Sequence, residues 1–318
     1  LDEGQEVLVA QILDLAVLLA AGALVRGVGR QQVGGGDTAA EAGGQSLDHH
    51  HHVELQLLQV GEQVAADHVD RWANRQGFKV QKDVVTSVRP NVIITWNAGP
   101  GGRTLMFEGH TDVVTPVDIS AWRYDPFGAE IVGRRMYGRG TNDTKGNLAA
   151  MLIAMAALKR SGVNIGGTII GGVLCDEEDQ MLGVRSFIDR GHADAITGAI
   201  ICEPQDGLIC THQKGALRAQ FTIRGRMSHG AMPLAGLNTA PAVARLIFDL
   251  HNLEVEAVER LGWDAYLGWP SFTPTVIQAP AGGAPQLNVM PGEARVLVDT
   301  RTIPGQSHPD IKSKLSAL

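Results

Sequence analysis

An imidazole and a carboxylate stand two residues apart where an apolar run of the sequence ends. His110 and Asp112 follow residues 105–107, Leu-Met-Phe, and residues two apart on an extended backbone point to the same face. A carboxylate beside an imidazole sets the tautomer of the ring and orients it as a metal ligand. The stretch therefore predicts half of a metal site at the end of a buried strand.

Carboxylates that could complete this site occur farther along the chain. Residues 176–179 are four acids in succession after an apolar run, and repelling charges at the end of a buried strand need a cation or a shared proton. We therefore favour a site here over a solvated acidic surface. Glu177 and Glu178 diverge on an extended tip, so that one could bind metal while the other faces substrate. Glu203 ends a further apolar run, and Asp143 lies in a glycine-bounded loop.

Predicted strands and helices place these residues at one edge of a sheet. Apolar residues at helical spacing predict helices over 61–77 and 147–160. Strands are predicted to begin at 78 and to span 92–96, 105–107, 167–175 and 199–202, with a hairpin loop at 99–102. Because ligands at the carboxyl ends of neighbouring parallel strands converge on one crevice, we expect His110 and the acids to meet there.

An antiparallel pattern begins after Gly207. Apolar and polar residues alternate over 217–224, as in a half-exposed strand. A helix over 239–250, strands over 275–279 and 293–301, and a last helix capped by Ser307 follow. This order of strands and helices is most of an open-faced α+β sandwich. The change of pattern after Gly207 predicts a domain boundary near Leu208. Residues 1–58 show no such organisation and are left unassigned, as a disordered extension or a mis-assigned start.

Composition limits the class of protein. The 318 residues are 44% hydrophobic and 19% charged, which is typical of a soluble globular protein. The net charge of −7 argues against a general nucleic-acid binder. The apolar stretch 7–25 is interrupted by Gln11 and Asp14, so no membrane span is predicted. Three cysteines without a CxxC pair argue against a disulfide scaffold or a thiolate zinc site and favour a reducing, cytoplasmic setting.

Five short stretches, in this order, resemble the co-catalytic zinc amidohydrolases. That family includes acetylornithine deacetylase, succinyl-diaminopimelate desuccinylase, carboxypeptidase G and aminoacylase. The stretches are residues 109–114 (GHTDVV), 138–146 (GRGTNDTKG), 176–178 (DEE), 203–204 (EP) and 228–230 (SHG). Each motif alone is weak, but five in series are specific, and the resemblance covers the chain from about residue 61 onward.

The resemblance implies a centre of two divalent metal ions, with zinc expected and cobalt or manganese as alternatives. His110 and Glu203 would bind one ion, and Asp143, followed by a cis peptide bond, would bridge the two. Glu178 would bind the second ion. A glutamate at position 203 is similar to the deacetylase and desuccinylase branch rather than to the aminoacylase branch.

The resemblance also implies roles in the reaction. Asp112 would orient the histidine ligand, and Glu177 would be the general base and then the general acid. His229 would donate to the oxyanion from the second domain, reaching across from the partner subunit of a homodimer. Asn288 and Arg301 would grip the carboxylate of the substrate, although an arginine at a strand end is also commonly a plain surface charge.

The implied fold is α/β. A mostly parallel-sheet, zinc-peptidase-like catalytic domain over 59–207 would be followed by an inserted α+β, ferredoxin-like lid and dimerisation domain over 208–318, both truncated at their C-termini. The implied activity is hydrolysis of the amide bond of a small N-acyl amino acid. Two alternatives stay open: a dipeptidase or carboxypeptidase of the same family, and a catalytically incomplete remnant that acts only as a binding or dimer module.

The sequence departs from the family in one metal ligand. The family takes its last ligand, a histidine, from a C-terminal segment of the catalytic domain. The histidines after His229 are His251 and His308, and both fall in predicted lid elements. The second ion is therefore expected to lack one ligand in this sequence, which motivates the remnant alternative.

Overall fold

The structure, a computed structural model, describes residues 62–318. The unassigned stretch over residues 1–58 lies outside the described residues. Among the described residues the chain divides into two compact units between Gly207 and Leu208, and each unit has its own hydrophobic core. The catalytic and lid roles of the two units remain predictions.

The first unit alternates between strands and helices. Its helices are α1 (62–75), α2 (Lys145–Ser161) and α3 (Leu182–Asp189). Its strands are β1 (Lys79–Thr86), β2 (Arg89–Gly99), β3 (Thr104–His110), β4 (Glu130–Val132), β5 (Arg135–Tyr137), β6 (Gly167–Leu174) and β7 (Gly198–Ile201). β4 and β5 form a separate hairpin.

The central sheet has the strand order β1-β2-β6-β3-β7. β6, β3 and β7 pair in parallel, and β2 is antiparallel to β1 and β6, so every strand except β2 runs in one direction. The predicted mostly parallel sheet is confirmed. The hairpin predicted at 99–102 is wrong, because β6 lies between β2 and β3. Glycines indicate that the chain turns, but they do not select the neighbour of a strand.

Helices cover both faces of this sheet. α1 and α2 pack on one face, where the buried side chains include Val69, Leu148, Leu152, Val92 and Ile94. α3 packs on the other face, where the buried side chains are Ile93, Met106, Leu174 and Phe187. Consecutive residues of β2 thus enter opposite layers, as the strand pleat requires.

The register of β3 aligns the ends of three parallel strands. His110 lies opposite Leu174 of β6, and Glu108 lies opposite Ile201 of β7. The residues that follow these strands therefore leave the sheet side by side. This alignment is what the convergence of His110 and the acids requires.

The second unit is an antiparallel sheet with two helices. Strands β8 (Gly215–Arg224), β10 (Ser271–Gln278) and β12 (Glu293–Thr302) pair in the order β10-β12-β8. The unit also contains α4 (Ala240–Leu261), α5 (His308–Ser316) and the short strands β9 (Ser228–His229) and β11 (Val289–Met290). The predicted α+β fold of the second domain is confirmed.

α4 is longer than the helix predicted over 239–250. Leu253 and Ala257 continue its apolar stripe into the core, and Gly262, with a φ of 70°, ends it. Ser307 precedes α5, but its side chain makes no capping hydrogen bond, contrary to the prediction. No helix in the described part of the chain is both long enough and apolar enough to span a membrane.

Candidate metal centre

The ends of β3 and β7 and the loop before α2 bring His110, Asp143 and Glu203 together. The imidazole of His110 is buried, with 1% of its surface exposed. Its Nε2 lies 3.2 Å from Oδ1 of Asp143 and 3.4 Å from Oε1 of Glu203. The side chains of Asp143 and Glu203 are 46% and 31% exposed, so the group is open to a ligand from solvent.

Asp112 holds the opposite side of the ring. Nδ1 of His110 lies 3.1 Å from the backbone oxygen of Asp112 and 3.3 Å from its Oδ1. Nδ1 therefore donates its hydrogen to Asp112, and Nε2 faces the carboxylates of Asp143 and Glu203. These are the contacts that the orienting role predicted for Asp112 requires.

The carboxylate of Asp112 also holds the acidic turn that follows β6. Its Oδ1 accepts the N–H of Glu177 at 3.0 Å, and its Oδ2 accepts the N–H of Glu178 at 2.8 Å. Asp112 is buried, so water does not compete effectively for these hydrogen bonds. The carboxylate of Asp112 thus fixes the orientation of the His110 ring and the backbone position of Glu177 and Glu178.

Two groups of candidate ligand atoms share His110. The first adds Asp143 and Glu203, and the second adds Glu177 and Glu178; within each group the ligand atoms lie within 4.8 Å of one another. One imidazole nitrogen with carboxylate oxygens is a donor set that suits zinc, cobalt or manganese. The residues present therefore fit a divalent cation, and the second group contains a residue that the resemblance assigns to proton transfer.

The carboxylates around His110 perturb one another's protonation. Burial lowers the pKa of His110, but the hydrogen bonds and charges of Asp112 and Glu203 outweigh it and raise this pKa to about 11. Burial raises the pKa of Glu178 to about 7, and the negative charge of Asp143 acts in the same direction. The cluster therefore favours a positive charge at its centre, which a divalent cation supplies.

The loop that carries Asp143 is tied to the end of β7. The peptide bond between Asp143 and Thr144 is cis, as the resemblance implied. Thr144 is fully buried, and its hydroxyl donates to the backbone oxygen of Cys202 at 2.6 Å. This hydrogen bond links the residue after Asp143 to the residue before Glu203. The carboxylates of Asp143 and Glu203 both face Nε2 of His110.

Glu108 is a buried acid near the site that the sequence predictions missed. It precedes His110 by two residues on β3, so both side chains lie on the same face of the sheet. Burial raises the pKa of Glu108 to about 7, although the charge of His110 opposes the shift. The same two-residue spacing that linked His110 to Asp112 was the signal available for finding it.

Three predicted site residues belong to the second unit. His229 lies beside Asn288, with Nε2 of His229 3.4 Å from the side-chain amide nitrogen of Asn288. The N–H of Ala231 donates to Nδ1 of His229 at 3.1 Å. Arg301 instead pairs with Asp299 on its own strand, with Nη2 2.9 Å from Oδ2.

The amino-acid sequence is similar to a known protein family and to individual proteins of known name. The profile of peptidase family M20/M25/M40 matches residues 106–278, more than half of the chain. A probable succinyl-diaminopimelate desuccinylase from Staphylococcus epidermidis is 28% identical over 239 residues, covering 69% of this chain and 58% of that protein. A succinyl-diaminopimelate desuccinylase from Methylorubrum extorquens is 30% identical over 239 residues, covering 72% and 60%. The chain thus spans about three fifths of the length of these relatives.

Solved structures share the fold at low sequence identity. A di-peptidase from Saccharomyces cerevisiae aligns with a TM-score of 0.67 and 14% identity, covering 99% of this chain and 73% of that chain. An M20 family metallo-carboxypeptidase from Sulfolobus solfataricus aligns with a TM-score of 0.61 and 19% identity, covering 85% and 75%. At these identities the likeness shows the fold alone.

Proposed function

The chain belongs to the M20/M25/M40 peptidase family, and we propose that it is a metal-dependent hydrolase that cleaves the amide bond of an N-acyl amino acid. The observation that carries the proposal is the position of His110 Nε2 between Asp143 and Glu203, with Glu177 and Glu178 beside the ring. The relatives named as succinyl-diaminopimelate desuccinylases support an N-acylated amino acid as the substrate class.

The proposed cofactor is a pair of divalent cations, with zinc expected and cobalt or manganese as alternatives. His110, Asp143 and Glu203 would hold one ion, and Asp143 and Glu178 would contribute to the other. When bound, such ions lower the pKa of a water molecule and polarise the amide carbonyl. The fit rests on the donor set and on the concentration of negative charge around His110.

Glu177 would move the proton. It would take a proton from the attacking water and return it to the nitrogen that leaves, which requires a pKa near the working pH. Burial raises the pKa of Glu177, although the charge of His110 opposes the shift. The hydrogen bond from its N–H to Asp112 fixes its backbone, so the side chain acts from a defined position.

The second unit would supply the oxyanion donor and the substrate contacts. His229 would donate a hydrogen bond to the oxyanion of the reaction. Asn288 and Arg301 would bind a carboxylate of the substrate, and Arg301 would exchange its pairing with Asp299 for it. We propose that this unit is the lid and the homodimer interface, and that the first unit is the catalytic domain.

Metal analysis and an assay of substrate classes test the proposed function. Purified protein is loaded with Zn²⁺ or Co²⁺ and assayed with N-succinyl and N-acetyl amino acids and with dipeptides. We expect bound metal and release of the acyl group. Hydrolysis of dipeptides alone would identify the peptidase alternative, whereas bound metal without any turnover would favour the non-catalytic remnant.

Glu177→Gln separates proton transfer from metal binding. Because Gln keeps the shape of Glu177 but accepts no proton, we expect kcat to fall by at least about 100-fold while metal content stays unchanged. Glu130→Gln, at an exposed glutamate of β4, is the matched control. If the Gln variant loses metal instead, Glu177 is a ligand, as its place in the second group of ligand atoms would permit.

A further inference from the structure

The first acid of the 176–179 run points away from the metal centre into the protein. Asp176 is fully buried and its backbone is left-handed, with a φ of 61°. Its Oδ1 accepts a hydrogen bond from Nη1 of Arg89. Nε of Arg89 lies 2.9 Å from Oε1 of Glu62, an ion-pair distance although the N–H direction does not make a hydrogen bond. These three residues are called the Glu62–Arg89–Asp176 triad.

The triad joins three elements of the first unit. Glu62 is in the first turn of α1, Arg89 begins β2, and Asp176 follows β6. Glu62 and Arg89 are both largely buried, with side-chain exposures of 2% and 13%. Oε2 of Glu62 also accepts the backbone N–H of Asp176 at 3.2 Å. Both the side chain and the backbone of Asp176 are therefore anchored.

Asp176 in turn closes the acidic turn on itself. Its Oδ2 accepts the backbone N–H groups of Gln180 and Leu182, each at 3.2 Å. Its backbone oxygen accepts the N–H of Met181 at 2.7 Å. A side chain that bonds several later N–H groups holds a turn in one conformation, as in a helix cap.

The acidic turn is thus held from two sides. Asp112 grips the N–H groups of Glu177 and Glu178 from the site, and the triad grips Asp176 from the interior. We propose that Arg89 is a positioning residue that, through Asp176, sets where the carboxylates of Glu177 and Glu178 lie. This role rests on the proposed function of those two glutamates.

The chemistry of the triad favours positioning over simple stabilisation. A buried ion pair or triad contributes little net stability, because the cost of removing charges from water offsets their attraction. A planar guanidinium, however, reaches two carboxylates at once in a fixed fork, and a lysine ammonium does not reproduce that geometry. Residues behind metal ligands typically change metal affinity or activity by about 10- to 100-fold when they are altered.

Co²⁺ titration of Arg89→Lys, followed by visible absorbance, tests the proposal. We expect Co²⁺ affinity to fall by at least about tenfold with an altered spectrum, and kcat to fall more than KM changes. Far-UV circular dichroism checks that the variant is folded. Arg190→Lys is the control, because Arg190 also faces a carboxylate, with its Nη1 3.7 Å from Oδ1 of Asp83.

The outcomes separate this inference from the proposed function. Wild-type protein that binds no Co²⁺ and hydrolyses nothing overturns the proposed function and the inference with it. Wild-type protein that binds Co²⁺, beside a folded Arg89→Lys variant with the same affinity and spectrum, overturns the inference alone. If Arg89→Lys does not fold, Asp176→Asn, which keeps an oxygen for Gln180 and Leu182, decides by the same titration.

Discussion

At the scale of single residues, the environment of each ionisable group decides its role. His110 and Glu62 are both buried, yet His110 is surrounded by carboxylates that favour its charged form. Burial, followed by the charge of Asp112, raises the pKa of Glu62 from 4.5 to about 8, although Arg89 opposes the shift.

This shift of Glu62 predicts a dependence of stability on pH. Because its pKa is higher in the folded than in the unfolded protein, Glu62 contributes stability that is complete below its ordinary pKa and is lost as pH rises through about 8. In Glu62→Gln that loss should disappear. We expect the unfolding midpoint of the wild type to fall relative to the variant between about pH 5 and about pH 9, measured by thermal unfolding in a chelating buffer. If the unfolding midpoints of the wild type and of Glu62→Gln changed with pH in parallel, the raised pKa of Glu62 would be contradicted.

At the scale of elements, strand ends and the loop before α2 supply the candidate ligands. β3, β6 and β7 end at one edge, so His110, the acidic turn and Glu203 need little loop to meet. Asp143 comes from a loop, and a loop needs an anchor to hold a ligand in place. The hydrogen bond from Thr144 to Cys202 is such an anchor, and its Thr144 end is fully buried.

Removing this anchor should weaken both stability and the site. Thr144→Val keeps the shape of the side chain but leaves the backbone oxygen of Cys202 without its donor, at a cost of about 0.5–1.5 kcal/mol. We expect a lower unfolding midpoint in urea and weaker Co²⁺ binding. Thr144→Ser, which retains the hydroxyl, should behave as the wild type. Equal behaviour of the Val and Ser variants would show that the hydrogen bond has no such role.

At the scale of the whole molecule, the described chain has two units with separate cores. Leu152 of α2 is fully buried in the first unit, and Leu250 of α4 is fully buried in the second. The proposed ligands and the proposed base belong to the first unit, whereas His229 belongs to the second. The proposed division of labour between catalytic domain and lid follows this boundary.

Separate cores predict separate responses to core truncation. Leu152→Ala and Leu250→Ala should each cost about 2–5 kcal/mol, because each removes a fully buried side chain and leaves a cavity. We expect hydrogen exchange to show the larger loss of amide protection in the unit that carries the substitution. A uniform loss over both units in either variant would show that the two units unfold as one.

Much of the fold and of the candidate site was predictable from local sequence. Apolar runs followed by acids marked the ends of β3, β6 and β7, although β7 is exposed along its length. Helical spacing predicted α1 and α2, and alternation predicted β8. The resemblance then named nine candidate residues, and the structure gathers the other five of the first unit around the imidazole of His110.

Only the tertiary structure decided which residues are neighbours across long separations in the chain. It placed β6 between β2 and β3 and buried Asp176 against Arg89. Periodicity reports which face of an element is buried, but not what it is buried against. Strand order and ion pairing arise from contacts between distant segments, so the residues that hold the candidate ligands in place became visible only in the folded chain.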